Sequence, residues 1–268
     1  MKGRLIVCPT PIGNLEDVTL RVLSSLREAD IVACEDTRRT RTLLDRYGVS
    51  GKLTSYREQN ERERAGELVE KMIAGNVVAL VSDAGMPLIS DPGFMLVQAC
   101  VAAGLAVEVL PGPSAVLAAL VASGLPSAQW RFAGFLPRKR GELEKVFASN
   151  VETLVAFESP KRTGRSLAVL AEIDPARPVA VCRELTKVHE EVLRGTAAEL
   201  AARYAEEDPR GEVALVIGAG KPHRSEEAVA LDAVRQLVDA GAKKRPAAAV
   251  VAKLTGISAN RLYRGLTE

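Results

Sequence analysis

Between Val77 and Gly93 the chain reads VVALVSDAGMPLISDPG. An apolar run gives way at once to Ser82, Asp83, Gly85, Pro87, Ser90, Asp91, Pro92 and Gly93. A tight turn needs one or two such residues; a longer succession builds a loop with a surface of its own. Three other apolar runs end in the same manner, with PTPIGN (9–14), EDTRRT (35–40) and PGPSA (111–115). In a parallel α/β sheet, ligands bind beyond the carboxyl ends of the strands, so four such loops at one edge suggest a binding floor.

The floor is acidic. Asp83 and Asp91 would repel a pyrophosphate, and the chain carries neither GxGxxG after its first strand nor GxxxxGK[ST] anywhere. A ligand with an amino group, a ribose or a sulfonium suits it better. Ser114, at a helix start, offers backbone N–H groups and a hydroxyl to a carboxylate or a ribose. Amino acid, ribose and cationic sulfur together describe S-adenosylmethionine. Asp91, within SDPG, reads first as a turn and helix-cap residue.

Composition narrows the other classes. The 268 residues, 47% of them hydrophobic, suit one large or two ordinary globular domains. A net charge of +2 does not by itself announce a nucleic-acid binder. No apolar run reaches the roughly 20 residues of a membrane helix, and MKGRLIVCPTP has no signal-peptide pattern. Cys8, Cys34, Cys100 and Cys182 are scattered through apolar segments and read as reduced core residues of a cytoplasmic protein. His189 and His223 lack partners at ligand spacing, so no metal site is expected.

The elements that must position these loops alternate. Apolar runs at 4–8, 31–36, 77–82 and 106–112 predict strands; helical spacing predicts helices at 17–29, with Asp17 as N-cap, and at 39–48, 61–75, 92–104 and 113–124. This is a mostly parallel α/β domain, 1–113. A second α/β domain, 114–220, has strands at 130–137, 153–159, 178–185, 190–196 and 212–218 and helices at 138–149, 162–173 and 197–207. The closeness of the runs around 182 and 192 predicts antiparallel pairing in a mixed sheet. The segment 221–268 is strand-free, with helices at 225–240, 246–254 and 258–265, a basic turn KKRP at 243–246 and a turn at Gly256. It reads equally as a helix-turn-helix or a helical cap.

PTPIGNLEDVTLR, CEDTRRT, SDAGMPLISDPG, PGPSA, FESPKR and RELTKVHEE, in this order and across essentially the whole chain, resemble the tetrapyrrole methylase superfamily, the class III adenosylmethionine-dependent methyltransferases. Within it they are similar to the branch that methylates the 2′-hydroxyl of a decoding-centre cytidine (cytidine 1402) of 16S rRNA. The resemblance implies a cofactor in the cleft between two α/β domains. By position, Asp83, Ala84 and Gly85 would line it, Ser114 and Ala115 would touch it from the next loop, and Pro11 and Ile12 would sit at its edge. The second domain would close over the adenine near Phe157, Leu185 and Val213. The superfamily also implies a homodimer.

Methylating a 2′-hydroxyl requires in-line alignment and a proton acceptor. Candidates are Glu35, Asp36, Arg38, Glu158, Glu184, Lys187 and Glu190, with Glu35, Asp36 or Lys187 preferred, lysine needing a depressed pKa from the nearby cationic cofactor. RNA requires cations. They cluster at Arg38, Arg39 and Arg41, at Lys139 and Arg140 in LPRKRGE, at Lys161 and Arg162 in SPKRTGR, and at Lys243, Lys244 and Arg245. The substrate read from this is the small ribosomal subunit. A corrin or porphyrin precursor is the alternative, and a DNA-binding regulator a third reading.

Overall fold

The structure, a computed structural model, describes residues 3–220 and 226–266. The polar stretch 221–225, with His223 and the expected first residue of the C-terminal helix, lies outside the described residues, as do 267–268. The chain divides into two compact units between Ala219 and Gly220.

In the first part of the larger unit, strands and helices alternate as β1 (Arg4–Cys8), α1 (Leu20–Glu28), β2 (Ile31–Cys34), α2 (Thr37–Arg46), β3 (Leu53–Ser55), α3 (Glu61–Ile73), β4 (Val77–Val81), α4 (Phe94–Ala102) and β5 (Ala106–Val109). The sheet order is β3-β2-β4-β1-β5, with every pairing parallel. Strand β3 was not expected: three partly buried residues at an edge carry too little apolar signal to register. The helix expected from Asp17 starts later. Leu15–Asp17 form a 3-10 turn begun by Asn14, and Thr19 caps α1 by accepting from the Val22 N–H.

Both sheet faces are covered, as parallel sheets require. Leu5, Val7, Ile31, Ala33 and Leu80 pack against Leu68 and Met72 of α3 and Leu96 of α4. Ile6, Cys8, Val32 and Val81 pack against Val22 and Leu26 of α1 and Leu44 of α2. Chain direction matters here. From β1 the chain crosses to β2 on one side, and from β4 it crosses to β5 on the other, although β1 and β4 are neighbours. Their carboxyl ends form the topological switch point, where a crevice opens.

The second sheet is built from β6 (Trp130–Phe135), β7 (Thr153–Glu158), β8 (Pro178–Arg183), β9 (Glu191–Thr196) and β10 (Val213–Ile217), in the order β6-β7-β10-β8-β9. Only β6 and β7 are parallel; β8 and β9 pair antiparallel, as their closeness in sequence predicts. One face holds α5 (Ala115–Ser123) through Val116, Ala119 and Leu120. The other holds α6 (Arg140–Ala148), α7 (Pro160–Ile173) and α8 (Ala197–Arg203). The four cysteines are free and buried in these cores.

The smaller unit contains α9 (Glu226–Asp239), α10 (Lys244–Thr255) and α11 (Ala259–Arg264) around Ala230, Val234, Ala247, Val251 and Leu262. The expected basic turn at 243–246 is instead a helix start: Lys243 precedes α10 and Lys244, Arg245 and Pro246 form its first turn, where proline's missing N–H costs nothing. Gly256, left-handed at φ 73°, ends that helix.

Candidate functional site

The loop after β4 is held at both ends. At its start Thr10 and Gly85 exchange backbone hydrogen bonds, each 2.9 Å, across the switch point. The Thr10 hydroxyl donates to the Ser82 carbonyl at 3.0 Å and the Ser82 hydroxyl to the Gly85 carbonyl at 2.8 Å. At its end one Glu61 carboxylate oxygen accepts from the N–H groups of Gly93 (2.9 Å) and Met95 (3.0 Å), satisfying the start of α4. Between these anchors the backbone is left-handed at Gly85, Leu88, Ser90 and Gly93. A Cβ on Gly93, at φ 142°, would lie 2.7 Å from Leu88 Cδ1, so that position requires glycine.

This loop forms one wall of a cavity of about 380 Å³ between the two sheets. Ile12, Ala84, Gly85, Ser114 and Ala115 line it from the first sheet's loops, and Phe157, Leu185 and Val213 from the second sheet. Those eight are sequence-expected positions brought together. Pro11 and Asp83 are not in the lining. Asp83 serves as a brace instead: its carboxylate accepts the Asp36 N–H at 2.9 Å and sits 3.6 Å from Arg39, tying the loop after β2 to the loop after β4.

The lining also contains residues that the sequence reading missed. Met86, Ile89 and Ser90 come from the long loop and Phe135 from the end of β6, while Glu158, one of the sequence-expected acceptor candidates, lies in the lining as well. Asp91 is there too, and it is no helix cap: Gly93 takes the cap position of α4. Burial, then the neighbouring Glu35 and Asp83 carboxylates, push the Asp91 carboxyl up from 3.8 to about 7. Glu35 is likewise raised, by burial first and Asp83 second, against the pull of Arg57 and Arg39. An acidic group faces the cavity with no cation among those acting on it.

The tetrapyrrole (corrin/porphyrin) methylase family model matches residues 4–201. The chain belongs to that family. Among this methylase's relatives, the ribosomal RNA small subunit methyltransferase I of Mesorhizobium japonicum is 46% identical, covering 100% of this chain and 92% of that protein. The protein of the same name from Escherichia coli O157:H7 is 40% identical, covering 100% and 96%. The methylase is therefore a methyltransferase of the ribosomal RNA small subunit methyltransferase I type. In fold it is similar to a uroporphyrin-III C-methyltransferase from Thermus thermophilus, solved as a complex with S-adenyl homocysteine, at TM-score 0.57 and 22% identity over 81% of this chain and 97% of that one.

The three preferred proton acceptors fare differently in the methylase. Asp36 caps α2 by accepting from the Arg38 N–H at 2.8 Å, and that backbone bond, with the Arg38 side chain, holds its carboxyl below the usual range. Burial pushes the Lys187 ammonium down, but hydrogen bonds to Glu184 (2.8 Å) and Glu212 (3.1 Å) outweigh it, and the net shift is upward, opposite to the expected depression. Glu35 keeps a raised carboxyl but is outside the lining. Of the others, Glu184 pairs with Lys187, Glu190 accepts the Thr186 N–H, and buried Glu158 accepts from Ser159 N–H, Arg162 and the Ser166 hydroxyl.

The basic clusters also divide. Arg162 is turned inward, bonded to Glu158 (2.7 Å) and the Leu136 carbonyl (2.6 Å), so its guanidinium holds the cavity floor instead of facing solvent. Arg140 is engaged by Glu144 and Glu172, Arg38 by Asp36. Lys139, loosely beside Glu142 at 3.6 Å, and Lys161 are exposed, as are Lys243, Lys244 and Arg245. Among the described residues no cluster of histidine, cysteine and carboxylate side chains suits a metal, and no helix is long and apolar enough to cross a membrane.

Proposed function

We propose that this methylase transfers a methyl group from S-adenosylmethionine to the 2′-hydroxyl of a decoding-centre cytidine (cytidine 1402) of 16S rRNA in the small ribosomal subunit. What carries the reading is identity of 46% along the whole chain to a protein named for methylating small-subunit ribosomal RNA. The cavity's chemistry fits the cofactor. Apolar walls at Ile12, Phe157, Leu185 and Val213 suit an adenine, the Ser114 start of α5 suits a carboxylate or ribose hydroxyl, and an acidic wall suits a sulfonium.

When bound, the cofactor supplies an electrophilic methyl on a positively charged sulfur. The chain supplies alignment and a proton acceptor. Ala84 and Gly85, held by the Thr10 bridge, line the cofactor with Ser114 and Ala115, while Asp83 braces their loop from outside the lining. Asp91 takes the ribose proton as the oxygen–carbon bond forms, in preference to Glu35, Asp36 and Lys187. It lines the cavity, and a carboxyl near 7 is matched to working pH. Burial first, then Glu35 and Asp83, keep it there. Lys139, Lys161, Lys243, Lys244 and Arg245 meet RNA phosphates.

The exposed apolar side chains Leu117 (51%) and Val121 (79%), one turn apart on α5, support a homodimer. Free buried cysteines support a cytoplasmic location. The test is incubation of unmodified small subunits with the purified protein and labelled cofactor, then mass mapping of the RNA, with a porphyrinogen in parallel. Label at a single cytidine 2′-oxygen is the expected result; label in the porphyrinogen alone would replace the reading by the corrin/porphyrin alternative.

A further inference from the structure

Strand β6 ends irregularly. Phe132 pairs with Val155, but the next partners are Phe135 and Phe157, three residues on one strand against two on the other. The extra residue is a β-bulge, and Gly134 stands in it at φ 65°. Strict alternation would send Phe135 to the sheet face of Ala133, toward α6 and α7. The bulge reverses this and turns the ring to the face of Phe132 and Phe157.

There Phe135 lines the cavity yet remains 63% exposed. Phe157 backs it at 5.6 Å between ring centroids, and Phe132 backs Phe157 edge-on at 5.0 Å. Across the mouth is the tip of the β4 loop: Ser90 Oγ lies 4.0 Å from where a Cβ on Gly134 would stand, and Asp91 follows it. Exposed cations follow lining residues closely along the chain. Arg138 and Lys139 come three and four residues after Phe135, and Lys161 follows the cavity-lining Pro160.

We infer that Phe135 is a stacking platform for the base of the nucleotide being methylated, with Arg138, Lys139 and Lys161 holding the flanking phosphates. This rests on the RNA reading of the site and names how the substrate is gripped. An unstacked base is recognised by an aromatic face beside a cationic track. The geometry favours the substrate base over the cofactor's adenine. A small ligand in a cavity is largely covered; the inner, half-buried Phe157 suits it, whereas a ring this exposed at the mouth suits a partner arriving from outside. A base on Phe135 leaves its ribose toward the loop that carries Asp91.

The test compares Phe135→Leu, Phe135→Ala and Phe135→Trp, each checked for an unchanged melting temperature. Cofactor affinity is measured by calorimetry, and methyl transfer to unmodified small subunits by steady-state kinetics. The leucine and alanine variants should lose roughly 5- to 150-fold in kcat/KM, the range of one base–aromatic stack. The tryptophan variant should retain activity, and all three should bind cofactor as the parent does. Leucine at full activity overturns the platform. A parallel fall in cofactor affinity assigns the ring to the adenine and also overturns it. A parent protein that binds cofactor but methylates no small subunit defeats the RNA reading itself, and the platform with it.

Discussion

Asp91 decides the pH behaviour at the scale of single residues. Its carboxyl, raised from 3.8 to about 7, keeps a proton in the folded chain where the unfolded chain has lost it. Stability contributed by that proton is present at low pH and declines as pH rises from about 4 to about 7. Asp91→Asn removes the charge that burial disfavours and that Glu35 and Asp83 repel. The variant should gain melting temperature relative to the parent at pH 8 and little at pH 4, read by calorimetry at both. Catalysis runs the other way. If Asp91 accepts the ribose proton, parent activity rises with pH and levels off above about 7, and the asparagine variant loses about 100-fold or more together with that limb. Lys187→Met should keep the limb, because its ammonium is held charged by Glu184 and Glu212; a flattened pH–rate profile in that variant would restore lysine as the base.

One carboxylate governs the β4 loop as an element. Glu61, at the start of α3, accepts the Gly93 and Met95 N–H groups and thereby closes both the loop and the N-terminus of α4. Glu61→Ala leaves two donors without that partner. It should cost about 1–2 kcal/mol in urea unfolding, the scale of a lost helix cap. Cofactor affinity should fall with it, because Ala84 and Gly85 lie on the same loop. Full affinity in a destabilised Glu61→Ala protein would mean that the Thr10–Gly85 bridge alone sets the loop.

For the whole molecule, the exposed Lys243, Lys244 and Arg245 start a helix in a unit with its own small core. Reversing these charges to glutamate should weaken binding to small subunits and flatten its salt dependence by roughly 0.7–0.9 of a log–log unit per lost phosphate contact, with cofactor affinity unchanged. Equal small-subunit affinity in parent and variant would end the RNA role of this unit. Sedimentation at micromolar concentration should show a species of twice 28.6 kDa. Leu117→Glu with Val121→Glu should shift it to the monomer; a parent that sediments as the monomer rejects the dimer.

Local chemistry was legible in the chain. Period and punctuation yielded the strands of both sheets except β3, the helices within a few residues, and the three loops, 9–14, 82–93 and 111–115, that carry the cavity's first wall; the fourth, 35–40, stands outside the lining. Those depend on neighbours in sequence, and neighbours in sequence are what a pattern records. Placement across the fold was not legible. SDPG looks like a cap until Glu61, some thirty residues earlier, takes that duty and leaves Asp91 facing a cavity. Arg162 looks like a surface cation until Glu158 and the Leu136 carbonyl turn it inward. Phe135 lies within the expected strand 130–137, but its face is decided by one extra residue in the pairing, which reverses it. Each outcome is set by a partner distant in sequence, since burial and pairing, which decide a side chain's charge and direction, exist only once the two sheets have met.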